Sequence, residues 1–145
     1  MSSTPAATST SCPTGDLTNP AALARMLAAR ATPTRDVLPL TLLGSVRRNG
    51  AGRDSSLADM LAATTALLHN LRAQKHHLVV TTNSETCLKE VHPMAGLCCG
   101  WSDTGAAASS RGPSDARVLF VQRLFVAAAA TRLGYNVLIL DTDVH

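Results

Sequence analysis

A chain of 145 residues with a net charge of +3 and 46% apolar residues is long enough for one domain with a core of its own. Aromatic residues make up only 3%, too few for the stacking platforms of single-strand nucleic-acid binders, so no nucleic-acid partner is expected. No stretch reaches the ~20 apolar residues of a membrane span, and the first residues lack the charged and apolar regions of a secretion signal.

Residues 1–35 are rich in Ser, Thr, Ala and Pro and read as a low-complexity, disordered leader. One short helix, Pro20–Arg30, interrupts it, with Asn19 as its cap and Pro in its first turn. From residue 36 to 145 the pattern is that of a folded domain. Val37–Leu43 is a short apolar run ended by Gly44-Ser45 and predicts a buried strand, although Pro39 cannot donate to a ladder. A polar loop follows; its basic cluster, Arg47, Arg48 and Arg53, reads as solvated, with a phosphate contact as the alternative. Leu57, Met60, Leu61, Leu67, Leu68 and Leu71 recur at helical spacing and predict a helix over 57–71.

His77–Thr82 predicts the second strand, with His76 and His77 in solvent at its start and His69 bordering the core from the helix before. Asn83-Ser84 opens a short helix over Glu85–Val91 that His92-Pro93 ends. Gly96–Trp101 predicts the third strand. Ala116–Leu133 predicts a long helix with Gly134 at the C-cap position, and Asn136–Leu140 the last strand. Short apolar strands alternating with helices predict an α/β fold with a mainly parallel sheet. Ligands of such sheets bind beyond the carboxyl ends of the strands.

Cys12, Cys87, Cys98 and Cys99 form no CxxC pairs, and no His lies at finger spacing, so no structural zinc site is expected. Cys98 and Cys99 read as small buried hydrophobes; in an oxidising compartment Cys87 can pair with one of them, and spacing does not say which. Tyr135 reads as a packing residue, and Trp101 as lining a ligand pocket or covering the core.

The last strand runs into Asp141-Thr142-Asp143. Side chains two apart on a strand share a face, so the two carboxylates converge, and hard oxygen ligands suit Mg²⁺ or Mn²⁺ carrying a phosphorylated substrate. Four readings compete. The pair can hold the metal of a nucleotide-sugar. It can close a Walker B strand, but the chain has no GxxxxGK[ST] partner. It can be the nucleophile motif of a haloacid-dehalogenase-like phosphatase, but that motif sits on a first strand and carries Thr or Val where this chain has His145. It can be two solvated aspartates in a turn.

The stretch Arg117–Val144, with Leu133-Gly134-Tyr135-Asn136-Val137 leading to Asp141-Thr142-Asp143-Val144, resembles the nucleotide-diphospho-sugar transferase family. These are GT-A glycosyltransferases with a DxD motif, related to plant-type arabinosyl- and xylosyltransferases. Weaker similarity extends back to Val37. The resemblance implies a Rossmann-like nucleotide-sugar-binding half, Mn²⁺ or Mg²⁺ on Asp141 and Asp143, and a donor such as a UDP-sugar. It implies a glycan or glycoprotein acceptor and the Golgi or secretory pathway as setting. Arg123 matches a basic position of the family and is expected near the donor phosphates; the alternative is a partly exposed residue snorkelling over the sheet. Gly44 and Ser45 are expected near base and ribose. The family domain continues past Asp-x-Asp, so residues 36–145 correspond to its N-terminal part. No catalytic residue is assigned, and little transferase turnover is expected of these residues alone. The alternatives are a nucleotide-sugar-binding remnant and a metal-dependent α/β phosphatase.

Overall fold

The computed structural model describes residues 12–41, 57–92, 97–102 and 115–140. The elements are α1 (Pro20–Arg30), β1 (Asp36–Thr41), α2 (Leu57–Asn70), β2 (His77–Thr81), a single π-helical turn (Thr86–Val91), β3 (Cys99–Trp101), α3 (Asp115–Arg132) and β4 (Asn136–Val137). Local chemistry sets their limits. Asn19 Oδ1 accepts the Ala21 and Ala22 amides at 3.0 and 3.2 Å, which caps α1 with Pro20 in its first turn. Gly134, with φ 88°, stops α3, since a left-handed residue after a helix is cheapest as glycine. Asn83 Oδ1 accepts the Thr86 amide at 2.8 Å where the π-helical turn begins. That turn closes with the His92 amide donating to the Cys87 carbonyl at 2.7 Å.

The strands form one parallel sheet in the order β3-β2-β1-β4. Alternate residues leave on opposite faces, and both faces are packed. Leu40, Val79 and Cys99 meet Leu61 and Leu68 of α2 and Val91 of the π-helical turn. Val37, Leu78 and Val80 meet Leu23, Met26 and Leu27 of α1 and Val126 and Ala130 of α3. β1, β2 and β3 are laid down in one direction, and the chain then returns past β1 to place β4. A right-handed crossover in the reverse direction needs the other face, which is why α3 lies opposite α2.

Pro39 explains the shortness of β4. The Leu38 amide donates to the His76 carbonyl on the β2 side, and the Val37 carbonyl accepts the Leu138 amide on the β4 side. Alternation turns Pro39 toward β4, where its missing donor interrupts the ladder. Regular pairing stops at Val137, and only a single bridge, Leu40 to Leu140, continues it. The expected strand Asn136–Leu140 is shortened for that reason. At the amino edge the Thr34 hydroxyl and the Asn136 amide donate to the Asp36 carboxylate at 2.6 and 3.0 Å, tying β1 to β4 and holding that carboxyl below its ordinary range.

Several expectations are corrected. The stretch composition reads as leader packs, from Leu17 through Arg30, against the sheet. Leu23, Met26 and Leu27 make an apolar stripe at helical spacing that composition alone does not weigh. Gly15 and Leu17 flank β3 like an added strand: the Trp101 amide donates to the Gly15 carbonyl at 3.1 Å, and the Leu17 amide to the Trp101 carbonyl at 2.7 Å. Gly100 makes room for this arm. A Cβ there would meet Leu17 Cγ at 2.7 Å and Met26 Cε at 2.8 Å.

His77 is fully buried rather than solvated, because β2 is a central strand covered by α1. Its Nε2 accepts the Cys98 amide at 2.9 Å, its Nδ1 lies 3.2 Å from Arg30 Nη2, and the Arg30 Nε donates to the His77 carbonyl at 3.1 Å. Burial, with the Arg30 charge beside it, lowers the imidazole pKa to about 4. His69 and Leu71 are exposed instead of bordering the core, because α2 ends at Asn70 and Arg72 turns away at φ 53°.

The cysteines are corrected in part: Cys87 does pair with one of the two neighbours, Cys99, but Cys12 is paired as well. Cys98 and Cys99 are buried, as expected of small hydrophobes, but both are in disulfides: Cys12–Cys98 and Cys87–Cys99. Successive residues at the start of β3 face opposite sides of the sheet. One therefore fastens the arm before α1, and the other fastens the π-helical turn.

Candidate functional site

The carboxyl edge of the sheet is where the apolar strands give way to hydroxyl and amide groups. β1 ends in Thr41, β2 in Thr81 followed by Thr82 and Asn83, and β3 is followed by Ser102. Two hydrogen bonds join groups at these strand ends. The Thr81 hydroxyl donates to the Asn83 carbonyl at 2.8 Å, and the Ser102 amide donates to the Thr81 carbonyl at 3.1 Å.

The middle of α3 reaches over this edge with two buried polar side chains. Gln122 Nε2 donates to the Ser102 carbonyl beyond β3. Arg123 Nη1 donates to the Thr41 hydroxyl at 3.4 Å, at the end of β1, and its guanidinium lies 5.0 Å from the centre of the Phe120 ring. Arg123 is 6% exposed, so the snorkelling alternative is set aside. The two are the only polar residues within Val118–Ala130. That pairing of polar neighbours in an apolar helix is the signal by which Gln122, not singled out from the sequence, can be found. Around them α3 is turned inside out: Phe120, Val121, Leu124 and Phe125 face solvent while Gln122 and Arg123 are buried.

The strand order reverses at β1, whose neighbours are β2 on one side and β4, reached by the crossover from β3, on the other. Such a topological switch point opens a crevice between the carboxyl ends of adjacent strands. Leu140 is bridged to Leu40, one residue before Thr41, so the end of the β4 segment lies beside the end of β1 and the Arg123 contact. Asp141 and Asp143 follow Leu140 in sequence, and Gly44 and Ser45 follow Thr41. All four lie outside the described residues. Among the described residues no group of three or more His, Cys, Asp or Glu is placed to hold a metal ion.

Of the aromatic candidates, Trp101 packs against the core on the α2 face and Tyr135 against the core on the α1 face, each as a covering side chain. No helix among the described residues is long and apolar enough to cross a membrane. No protein-family model, no curated protein and no solved structure matches the chain.

Proposed function

We propose that this chain carries the nucleotide-sugar-binding half of a metal-dependent glycosyltransferase of GT-A type. The observation that carries the reading is the pairing of β1 and β4 at the switch point of a parallel sheet, because both Gly44-Ser45 and Asp141-x-Asp143 continue from that spot. Asp141 and Asp143 would hold Mn²⁺ or Mg²⁺ with the donor diphosphate. A cation there neutralises charge on a departing nucleoside diphosphate. Arg123, buried at the end of β1, supplies a fixed positive charge toward the same crevice. Gly44 and Ser45 allow the backbone to approach base and ribose. The donor class is a nucleotide sugar, UDP-linked by the resemblance, and the acceptor a glycan or glycoprotein. Two disulfides suit the oxidising lumen of the Golgi or secretory pathway.

The reading is tested by Mn²⁺ binding followed through electron paramagnetic resonance, with and without uridine diphosphate. The free-ion signal should fall with wild type and nucleotide together, and return with Asp141→Asn or Asp143→Asn. Equal Mn²⁺ uptake by the wild type and both variants would remove the site.

A further inference from the structure

The two disulfides differ in a way that their shared stretch of sequence conceals. Cys87 and Cys99 are both fully buried, between the π-helical turn and the face of β3 that α2 covers. Cys98 is equally buried, but its partner Cys12 is only half-buried and lies where the described arm begins. Thiol–disulfide exchange requires access of a thiolate to one sulfur, and of the four cysteines only Cys12 is not fully buried. The same bond fixes the arm that runs beside β3. Beyond the sulfurs, that arm is held by the two backbone hydrogen bonds between Trp101 and the Gly15 and Leu17 backbones, with Leu17 seated over Gly100.

We infer that Cys12–Cys98 is a redox-addressed latch on the N-terminal arm, while Cys87–Cys99 is a permanent staple. The step balances with a dithiol as reductant. A reductant thiolate attacks Cys12 Sγ, the Cys12–Cys98 bond breaks, and Cys98 leaves as thiolate. The second reductant thiol then attacks the mixed disulfide, closing a reductant disulfide and leaving two protein thiols after proton uptake. Two electrons pass from the dithiol to the protein. Residues 12–17 are then held to β3 only by the two backbone bonds to Trp101 and the seat of Leu17 over Gly100, and they part from β3 more readily. The inference does not depend on the glycosyltransferase reading, since it concerns the edge of the sheet away from β4.

The test is a dithiothreitol titration of the oxidised chain, with thiols trapped by iodoacetamide and located by peptide mass spectrometry, and with amide hydrogen exchange measured on each sample. Cys12 and Cys98 should become alkylated at ~10-fold lower dithiol than Cys87 and Cys99. The amides of Leu17 and Trp101 should lose protection in that first step, while the Val79 amide, which donates to the Cys98 carbonyl within the sheet, keeps it. Simultaneous reduction of both pairs would overturn the latch, as would prior reduction of Cys87–Cys99. Unchanged protection at Leu17 and Trp101 after Cys12 is alkylated would overturn it as well.

Discussion

At the β3 edge of the sheet the outer backbone is paired to Gly15 and Leu17, a disulfide ties the arm down, and α1 seals the face below with Met26 and Leu27. At the β4 edge pairing is two residues long, Leu138 is 52% exposed, and α3 shows solvent two phenylalanines. Both edges belong to the same parallel sheet, yet one is invested with cross-links and the other with candidate chemistry. Sites that bind must leave backbone and polar groups accessible, and rigidity is supplied from elsewhere in the fold. The β3 edge supplies it here, so the two edges should respond very differently to the same kinds of perturbation.

The largest contrast concerns the disulfides. Replacing Cys12 and Cys98 by Ser opens a loop of 86 residues, and loop-closure entropy puts the loss at about 4–5 kcal/mol. Replacing Cys87 and Cys99 opens a loop of 12, worth about 3 kcal/mol. Urea unfolding of the oxidised proteins should rank them in that order. Next comes packing: Met26→Ala removes a fully buried side chain between arm and sheet and should cost about 3 kcal/mol. An unchanged midpoint would mean that the α1 face is not closed.

Acid should separate the edges by pH. His77 stays neutral when folded down to about 4, whereas unfolded it titrates near 6.5. Between those values the unfolded chain binds the extra proton, so stability falls as pH is lowered through that window, by about 2–3 kcal/mol in all. It is fully present above 6.5. The Asp36 tie at the β4 side works through a depressed carboxyl and is lost only at lower pH, as that carboxylate protonates. Denaturation curves at successive pH values should therefore weaken first through His77, and His77→Gln should flatten the upper part of the profile. The smallest effect is expected at the open edge: Phe125, 67% exposed, should tolerate Phe125→Ala within about 0.5 kcal/mol. A loss comparable to that of Met26→Ala would show that this face is packed in solution.

What the sequence disclosed follows from the range of each interaction. The Asn19-Pro20 cap, the Gly134 stop and the long α3 are written in neighbouring residues and were legible as such. The alternation of apolar strands and helices foretold a parallel α/β sheet. The arm was not legible, because one bridge from Asp16 to Trp101 has no period to detect and Gly100 owes its place to Leu17 and Met26, far off in sequence. Cysteine pairing was legible only in part: Cys87 pairs with one of the two neighbours as the sequence allowed, but the choice of Cys99 and the Cys12–Cys98 bond rest on the strand's alternation, which sends the two sulfurs to different faces. His77 looked solvated because its neighbours His76 and Lys75 are polar, while its burial is decided by Arg30 of α1. At the candidate site, Arg123 was singled out and is buried at the end of β1, and Gln122 beside it was passed over.

The central claim is that nucleotide and metal engage the β1/β4 end and not the β3 end. Hydrogen exchange with Mn²⁺ and uridine diphosphate together tests it most directly. Peptides covering 38–46 and 136–145 should gain protection that vanishes when Mn²⁺ is chelated, while 97–102 and 12–18 stay unchanged. Protection confined to 97–102 and 12–18, or none anywhere at saturating nucleotide, would contradict the account.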